Sequence, residues 1–456
     1  MSGTTGDKAG FGPAARRRTL LAGAGAAALG AAAPSWLARP LRAQSGFDWQ
    51  RFKGQKIEVL HAKGPRGDLL QKYEPEFTEL TGIEVGSEQV PEQQQRQKAV
   101  IEFTSGATSF DVLMLSLHVQ KRLVAKGEWL VDLRPWLEDP TLTAPDYDFA
   151  DYSKAGLLWA TQADGRIDTL PINIDYHLLY ANKDLFEAKG VAYPTTFDEM
   201  VAAAEALHDP ANGVTGWVGR GLKNANVPLW TNLLLGWDTE AIDAQGVMHT
   251  TSDEAVAAAE LYTRMNAEYG PPGSTGFNWM EAQASFMQGR AAMWLDGIGF
   301  SVPVEDPTKS RVAGRVAYVM QPKGPKAQHS GSFSDGMGVS AFSPRQEAAY
   351  FYVQWATSKQ MARRQLQGGY GPPPRTSVYS DPEVLASPDA KTQIIEAIVA
   401  CSKIGRPSLP VIIPVTEFRD IFGIALTNML EGADPRAELE KATEQFRPIL
   451  EKSERA

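Results

Sequence analysis

Lys56-Ile57-Glu58-Val59-Leu60 alternates polar and apolar positions as a strand does, Asp68 to Leu80 places Leu69, Leu70, Tyr73, Phe77 and Leu80 at helical spacing, and Gly82 to Val85 returns to strand. The three segments predict a βαβ unit with a kink at Pro75. Beyond it, the polar stretch Pro91 to Phe103 predicts a helix ending before Gly106, Asp111 to Leu115 a buried strand, and Val119 to Lys126 a helix stopped by Gly127. Leu170 to Phe186 begins as a strand and passes, through Asn182 as a cap, into a helix ending at Gly190. Thr196-Phe197-Asp198-Glu199 reads as a capping box opening a helix whose buried face is Phe197, Met200, Val201, Ala204 and Leu207. Strands alternating with helices in this way predict an α/β fold. Parallel sheets bind ligands beyond the carboxyl ends of their strands, so the loops opening at His61 and at Ser116, with His118 close behind, point at a site.

The amino end breaks this pattern. Arg16-Arg17-Arg18-Thr19-Leu20-Leu21 precedes an Ala/Gly-rich run from Ala22 to Ala33, which reads as a twin-arginine export signal over residues 1–43, with cleavage after Ala43. The run is too short and too weakly apolar for a bilayer core of ~30 Å. Gly23-Ala24-Gly25-Ala26-Ala27-Ala28 imitates a dinucleotide-binding loop, but no strand precedes it and no acidic residue follows at the required distance. No Cys lies near the cleavage point to carry a lipid. A periplasmic product is expected.

Composition narrows the function. An apolar content of 43% and a charged content of 22% are those of an ordinary globular protein. The formal charge is −9; residues 1–43 hold six Lys/Arg and one Asp, so the remaining 413 residues stand at −14. That charge argues against nucleic acid as a partner. The single Cys401 allows no disulfide and reads as a small buried hydrophobe, and the six His show no metal-ligand spacing. No metal and no cofactor is expected.

Longer motifs carry a family resemblance. Leu179 to Phe186 followed by Gly190, then Pro194-Thr195-Thr196-Phe197-Asp198-Glu199-Met200, Phe286 to Met293, Gly331 to Ser340, Tyr350 to Trp355 and Gly369 to Arg375 occur in order across nearly all of the chain after the signal. The chain resembles extracellular solute-binding proteins of family 1, the periplasmic receptors of sugar-importing ABC transporters that include maltose-binding protein. The resemblance implies a type II periplasmic binding fold: two α/β lobes joined by two or three crossing segments, with the ligand in the cleft. Crossings would lie near Pro171 to Tyr176, Gly324 to Gly331 and Gly371 to Pro374. Lobe one would be 44–173 and 327–374, and lobe two 174–326 and 375–456. A monomeric, non-enzymatic receptor that delivers its ligand to membrane permease subunits is expected.

Candidate ligand groups follow from sugar chemistry. Flat aromatic faces meet the C–H face of a pyranose or polyol, which among eleven Trp favours Trp279 and Trp294, with Trp230 behind them. Asn173, Asp175, Asp296 and Asp335 are the candidate acceptors, and Lys63, Arg66 and Arg375 the donors. Each has an ordinary alternative, as a core ring or a solvated loop charge. Tyr176 and Phe333 flank the acceptor positions and join the candidates. By resemblance, Gly331 would bring its backbone amide to the ligand and Tyr370 would stack or donate. A carboxylate at Asp175 disfavours a phosphate ligand, so a neutral saccharide or polyol is preferred to a glycerophosphodiester. A secreted carbohydrate-active enzyme is the rival class, but no pair of acids at catalytic separation and no nucleophile elbow can be picked out.

Overall fold

The computed structural model describes residues 46–386 and 392–455; the export signal and its cleavage point lie outside the described residues. Eight strands build one sheet: β1 (Lys56–Ala62), β2 (Glu84–Val90), β3 (Val112–Ser116), β4 (Leu170–Asn182), β5 (Met293–Gly297), β6 (Val316–Met320), β7 (Ser330–Val339) and β8 (Gly405–Pro407). The order is β2-β1-β3-β7-β4-β5, with β6 on β4 and β8 on β7. β1 is parallel to β2 and β3, whereas β7 runs antiparallel to both β3 and β4.

Helices α1 (Pro65–Thr81), α2 (Glu92–Ser105) and α3 (Leu117–Gly127) follow β1, β2 and β3 directly, so their amino ends gather at the carboxyl edge of the parallel strands. α1 runs on through Pro75, and β2 starts only at Glu84 because Gly82 is spent on capping α1, its N–H donating to the Thr78 carbonyl. The predicted caps are present. Asn182 accepts from the Asp184 amide, and Thr196 and Glu199 form the reciprocal capping box. Trp279 is the first residue of its helix, with Asn278 as the cap.

β4 ties the two ends of the sheet together. Its residues Leu170 to Tyr176 pair with β7, and its residues from His177 onward pair with β5 and β6. On one side of this shared strand, β1 and β3 pack with the helix Gln346–Ala356 through Ile57, Val59, Val112, Met114 and Tyr352. On the other, the helices Phe197–Leu207, Asp253–Glu268, Val415–Leu430 and Pro435–Arg455 share a core containing Met200, Tyr262, Phe418, Phe422 and Phe446. Trp230 belongs to that core. It is fully buried, its indole N–H donates to the Ala255 carbonyl at 3.1 Å, and its ring stacks on Phe422.

The segment at the expected third crossing is pinned by Arg375, which is 0% exposed and lies against the rings of Tyr147 and Tyr152. Its guanidinium donates to the Thr357 carbonyl at 3.1 and 3.0 Å and to the Asp148 carbonyl at 2.6 Å. These partners correct the expectation of a ligand donor: every bond this side chain makes is spent on holding the backbone. Arg375→Met should cost on the order of 2–4 kcal/mol, because two buried carbonyls lose their donor. Chemical denaturation of the ligand-free protein measures that loss.

Candidate functional site

The period-two alternation of β4 turns Asn173, Asp175 and His177 to one face, while Ile174, Tyr176 and Leu178 turn to the other and enter an apolar cluster with Ile398 and Cys401. All thirteen residues of the strand are buried. Opposite them on β7, Asp335 pairs with Asn173 and Phe333 with Asp175. The Phe333 ring lies between the imidazoles of His118 and His177, each centroid 5.4 Å away. A polar floor is thereby built from two antiparallel strands, beneath the amino ends of α1, α2 and α3.

Asp175 is the centre of this floor. It is 0% exposed; Oδ1 accepts from the Gly299 amide at 2.9 Å and the Tyr176 amide at 3.0 Å, while Oδ2 has no protein partner. Burial pushes its carboxyl up to about 6 against the pull of Arg66. Burial also pushes His177 down to about 4, leaving the ring neutral, with Nδ1 3.1 Å from the Gly331 carbonyl. Asn232 receives the Gly331 amide on Oδ1 at 2.8 Å, and Asn173 receives the Asp335 amide on Oδ1 at 2.9 Å. The side-chain N–H2 groups of Asn173, Asn232 and Gln365 have no protein partner. Buried polar atoms are normally satisfied, so this concentration of spare donors and one spare acceptor fits a ligand rich in hydroxyls.

Space beside Asp175 is kept open by two glycines. A Cβ on Gly299 would overlap Asp175 Oδ2, and Gly371, at φ 103°, faces Gly299, Arg66 and the Gln365 amide. Charge around the floor is paired: Arg66 with Asp335, Arg220 with Asp296, and Arg96 with Glu92. Arg220 also lies over Phe300, which stacks face to face on Trp279 at 4.7 Å and meets Trp294 at 6.2 Å.

The structure brings together Arg66, Ser116, His118, Asn173, Asp175, Asp296, Gly331, Phe333 and Asp335, with Trp279 reaching the site through Phe300. It places the others elsewhere. Tyr176 points to the opposite face of β4, Trp294 is buried on Tyr180, Trp230 lies in the core, and Arg375 is bonded to the Thr357 and Asp148 carbonyls. Lys63 is exposed at the end of β1, and Tyr370 is half-buried beside Gly368 on the crossing segment. The residues missed by the reading of the sequence are Glu92, Arg96, His177, Arg220, Asn232, Phe300, Gln365 and Arg419. His177 could have been found by extending the alternation of Asn173 and Asp175. Arg419 could have been found as a charge on the apolar face of its helix, between Val415, Phe418 and Phe422. Among the described residues no group of three or more His, Cys, Asp or Glu is arranged to hold a metal ion.

The family model for bacterial extracellular solute-binding proteins matches residues 63–363. An erythritol/L-threitol-binding protein of Mycolicibacterium smegmatis is 27% identical over 383 residues, 79% of each chain. A protein of Sinorhizobium fredii named "probable amino-acid ABC transporter periplasmic-binding protein" is 28% identical over 349 residues, 73% of this chain and 76% of that one. The structure of an ABC transporter solute-binding protein from Agrobacterium radiobacter K84 in complex with ribitol superposes with a TM-score of 0.79 at 27% identity, covering 87% of this chain and 99% of that one.

A raised carboxyl has a defined consequence for stability. Asp175 titrates near 6 in the fold against 3.8 for an ordinary aspartate, so the folded state holds the extra proton between those values and stability falls as pH climbs through that window. Asp175→Asn should therefore stabilise the ligand-free protein above pH 6 by about 3 kcal/mol, and the gain should vanish below about pH 4. Melting curves of both proteins across that range measure the difference.

Proposed function

The chain belongs to the bacterial extracellular solute-binding protein family, and we propose on that footing that it is the substrate-binding component of an ABC importer, taking a neutral polyol or saccharide in the cleft around Asp175. Its fold is the two-lobed type II α/β arrangement. The observation that carries the ligand class is the buried floor of Asn173, Asp175 and Asn232, whose spare hydrogen-bonding atoms lie beside the side-chain-free faces of Gly299 and Gly371. A polyol supplies both hydroxyl donors for Asp175 Oδ2 and acceptors for the Asn and Gln amides. The paired charges favour a ligand without net charge, because an added ion would have to displace an existing partner. The relatives named for erythritol, threitol and ribitol support a short open-chain alditol ahead of a ring.

The lobes take residues 44–173 with 327–374, and 174–326 with 375–456, and β4 passes between them. Ligand contacts from both lobes favour the closed form, and closure presents both lobe surfaces to the permease. The receptor acts as a monomer and without turnover. Arg16 to Arg18 send it, folded, across the cytoplasmic membrane, with cleavage near Ala43.

Thermal melting against a panel of alditols, sugars and amino acids tests the ligand class. An alditol at about a hundredfold over its Kd should stabilise the protein by about 2.7 kcal/mol, and amino acids should leave the melting point unchanged. Gly299→Ala should abolish the alditol response, since the new methyl occupies the space beside Asp175 Oδ2. For export, replacing Arg16 and Arg17 by Lys should leave the precursor in the cytoplasm, read by fractionation; normal periplasmic levels would refute that route.

A further inference from the structure

We infer, resting on the polyol reading, that Glu92 is a built-in anion filling a cationic corner of the cleft, and that it makes the receptor reject polyols carrying a carboxylate.

Glu92 opens α2, where the helix dipole favours a negative charge. It is ion-paired with Arg96 one turn along, and Ser116 Oγ donates to it at 3.4 Å. Its side chain is 40% exposed, whereas Arg96, Arg220 and Arg419 around it are all buried. The carboxylate is therefore the most exposed charged group of the corner. Ser116 pairs with Asp335 across β3 and β7, and this places Glu92 next to the floor. Burial works against ionisation of Glu92, but Arg96, Arg419 and His118 together hold its carboxyl at about 2.

The cations have few other partners. Arg220 is committed to Asp296. Arg419, 7% exposed, donates through Nε to the Asn224 carbonyl at 3.0 Å, and burial with repulsion from Arg96 brings it down to about 9. Asp420 also acts on Arg419, but its carboxylate is engaged by Asn224 Nδ2 at 2.9 Å. If the charge on Glu92 is removed, the buried positive charge of Arg96 and Arg419 is left without that compensating carboxylate. With the charge in place, the carboxylate of an incoming aldonate meets another carboxylate at the same corner and a neutral alditol meets none.

Calorimetric titration of the wild type and Glu92→Gln with ribitol against ribonate, and mannitol against mannonate, tests this. The wild type should bind each aldonate at least about tenfold more weakly than its alditol, and that gap should narrow in high salt as the repulsion is screened. Glu92→Gln should tighten aldonate binding by about tenfold relative to the matching alditol, both measured on the same protein; adding Arg96→Gln should reverse the gain. Equal wild-type affinity for both members of a pair overturns the inference and leaves the polyol reading standing. So does a Glu92→Gln protein that melts normally and gains no aldonate affinity, or a wild-type gap that salt does not alter. Failure of every alditol and sugar to bind the wild type overturns the polyol reading and this inference with it.

Discussion

A strand with no exposed side is the constraint from which the site follows. β4 is shared by two packing regions, so each of its residues must be accommodated inside the protein, including an asparagine, an aspartate and a histidine. Burying an ionisable carboxyl costs several kcal/mol unless it is bonded or neutralised. At Asp175 two backbone amides meet half of that demand and nothing from the protein meets the rest. The fold therefore stores an unmet requirement on the strand that its two packing regions share, one that a hydroxyl from outside would relieve. Stability and binding are opposed at this residue.

The second organising feature is that charge at the cleft is organised in pairs drawn from different elements. Arg66 of α1 meets Asp335 of β7, and Arg220, from the loop after Val218, meets Asp296 of β5. Each pair fixes a side chain that would otherwise sample several rotamers, so the hydrogen-bonding groups of the floor lie in a preorganised surround. The aromatic stack of Trp279 on Phe300 plays the same part from the opposite wall.

Much of this was legible in the residues. The order of strands and helices, the Asn182 cap and the Thr196–Glu199 box are local features with local causes, and they were read where they occur. Asp175, Asp296, Asp335 and Arg66 were read as candidate recognition groups because binding hydroxyls calls for carboxylates and Arg, although a solvated loop charge is the ordinary alternative for each. Arg220, Asn232 and Arg419 were not, because they come from segments whose approach to the floor is set by packing across hundreds of residues. Arg375 shows the converse error. A guanidinium in a Gly/Pro-rich stretch looks available for a ligand, and only the positions of Thr357 and Asp148 reveal that it is spent on backbone carbonyls. Trp230 likewise has the composition of a stacking ring and the surroundings of a core ring.

The way Arg375 is held also decides how the protein meets an acidifying environment. Carbonyl oxygens take up no proton over the range in which carboxylates do, so the bonds around Arg375 keep their strength while Asp175 changes its proton count. A fall in external pH would thus change the proton count at the floor of the site without loosening the bonds that hold Arg375.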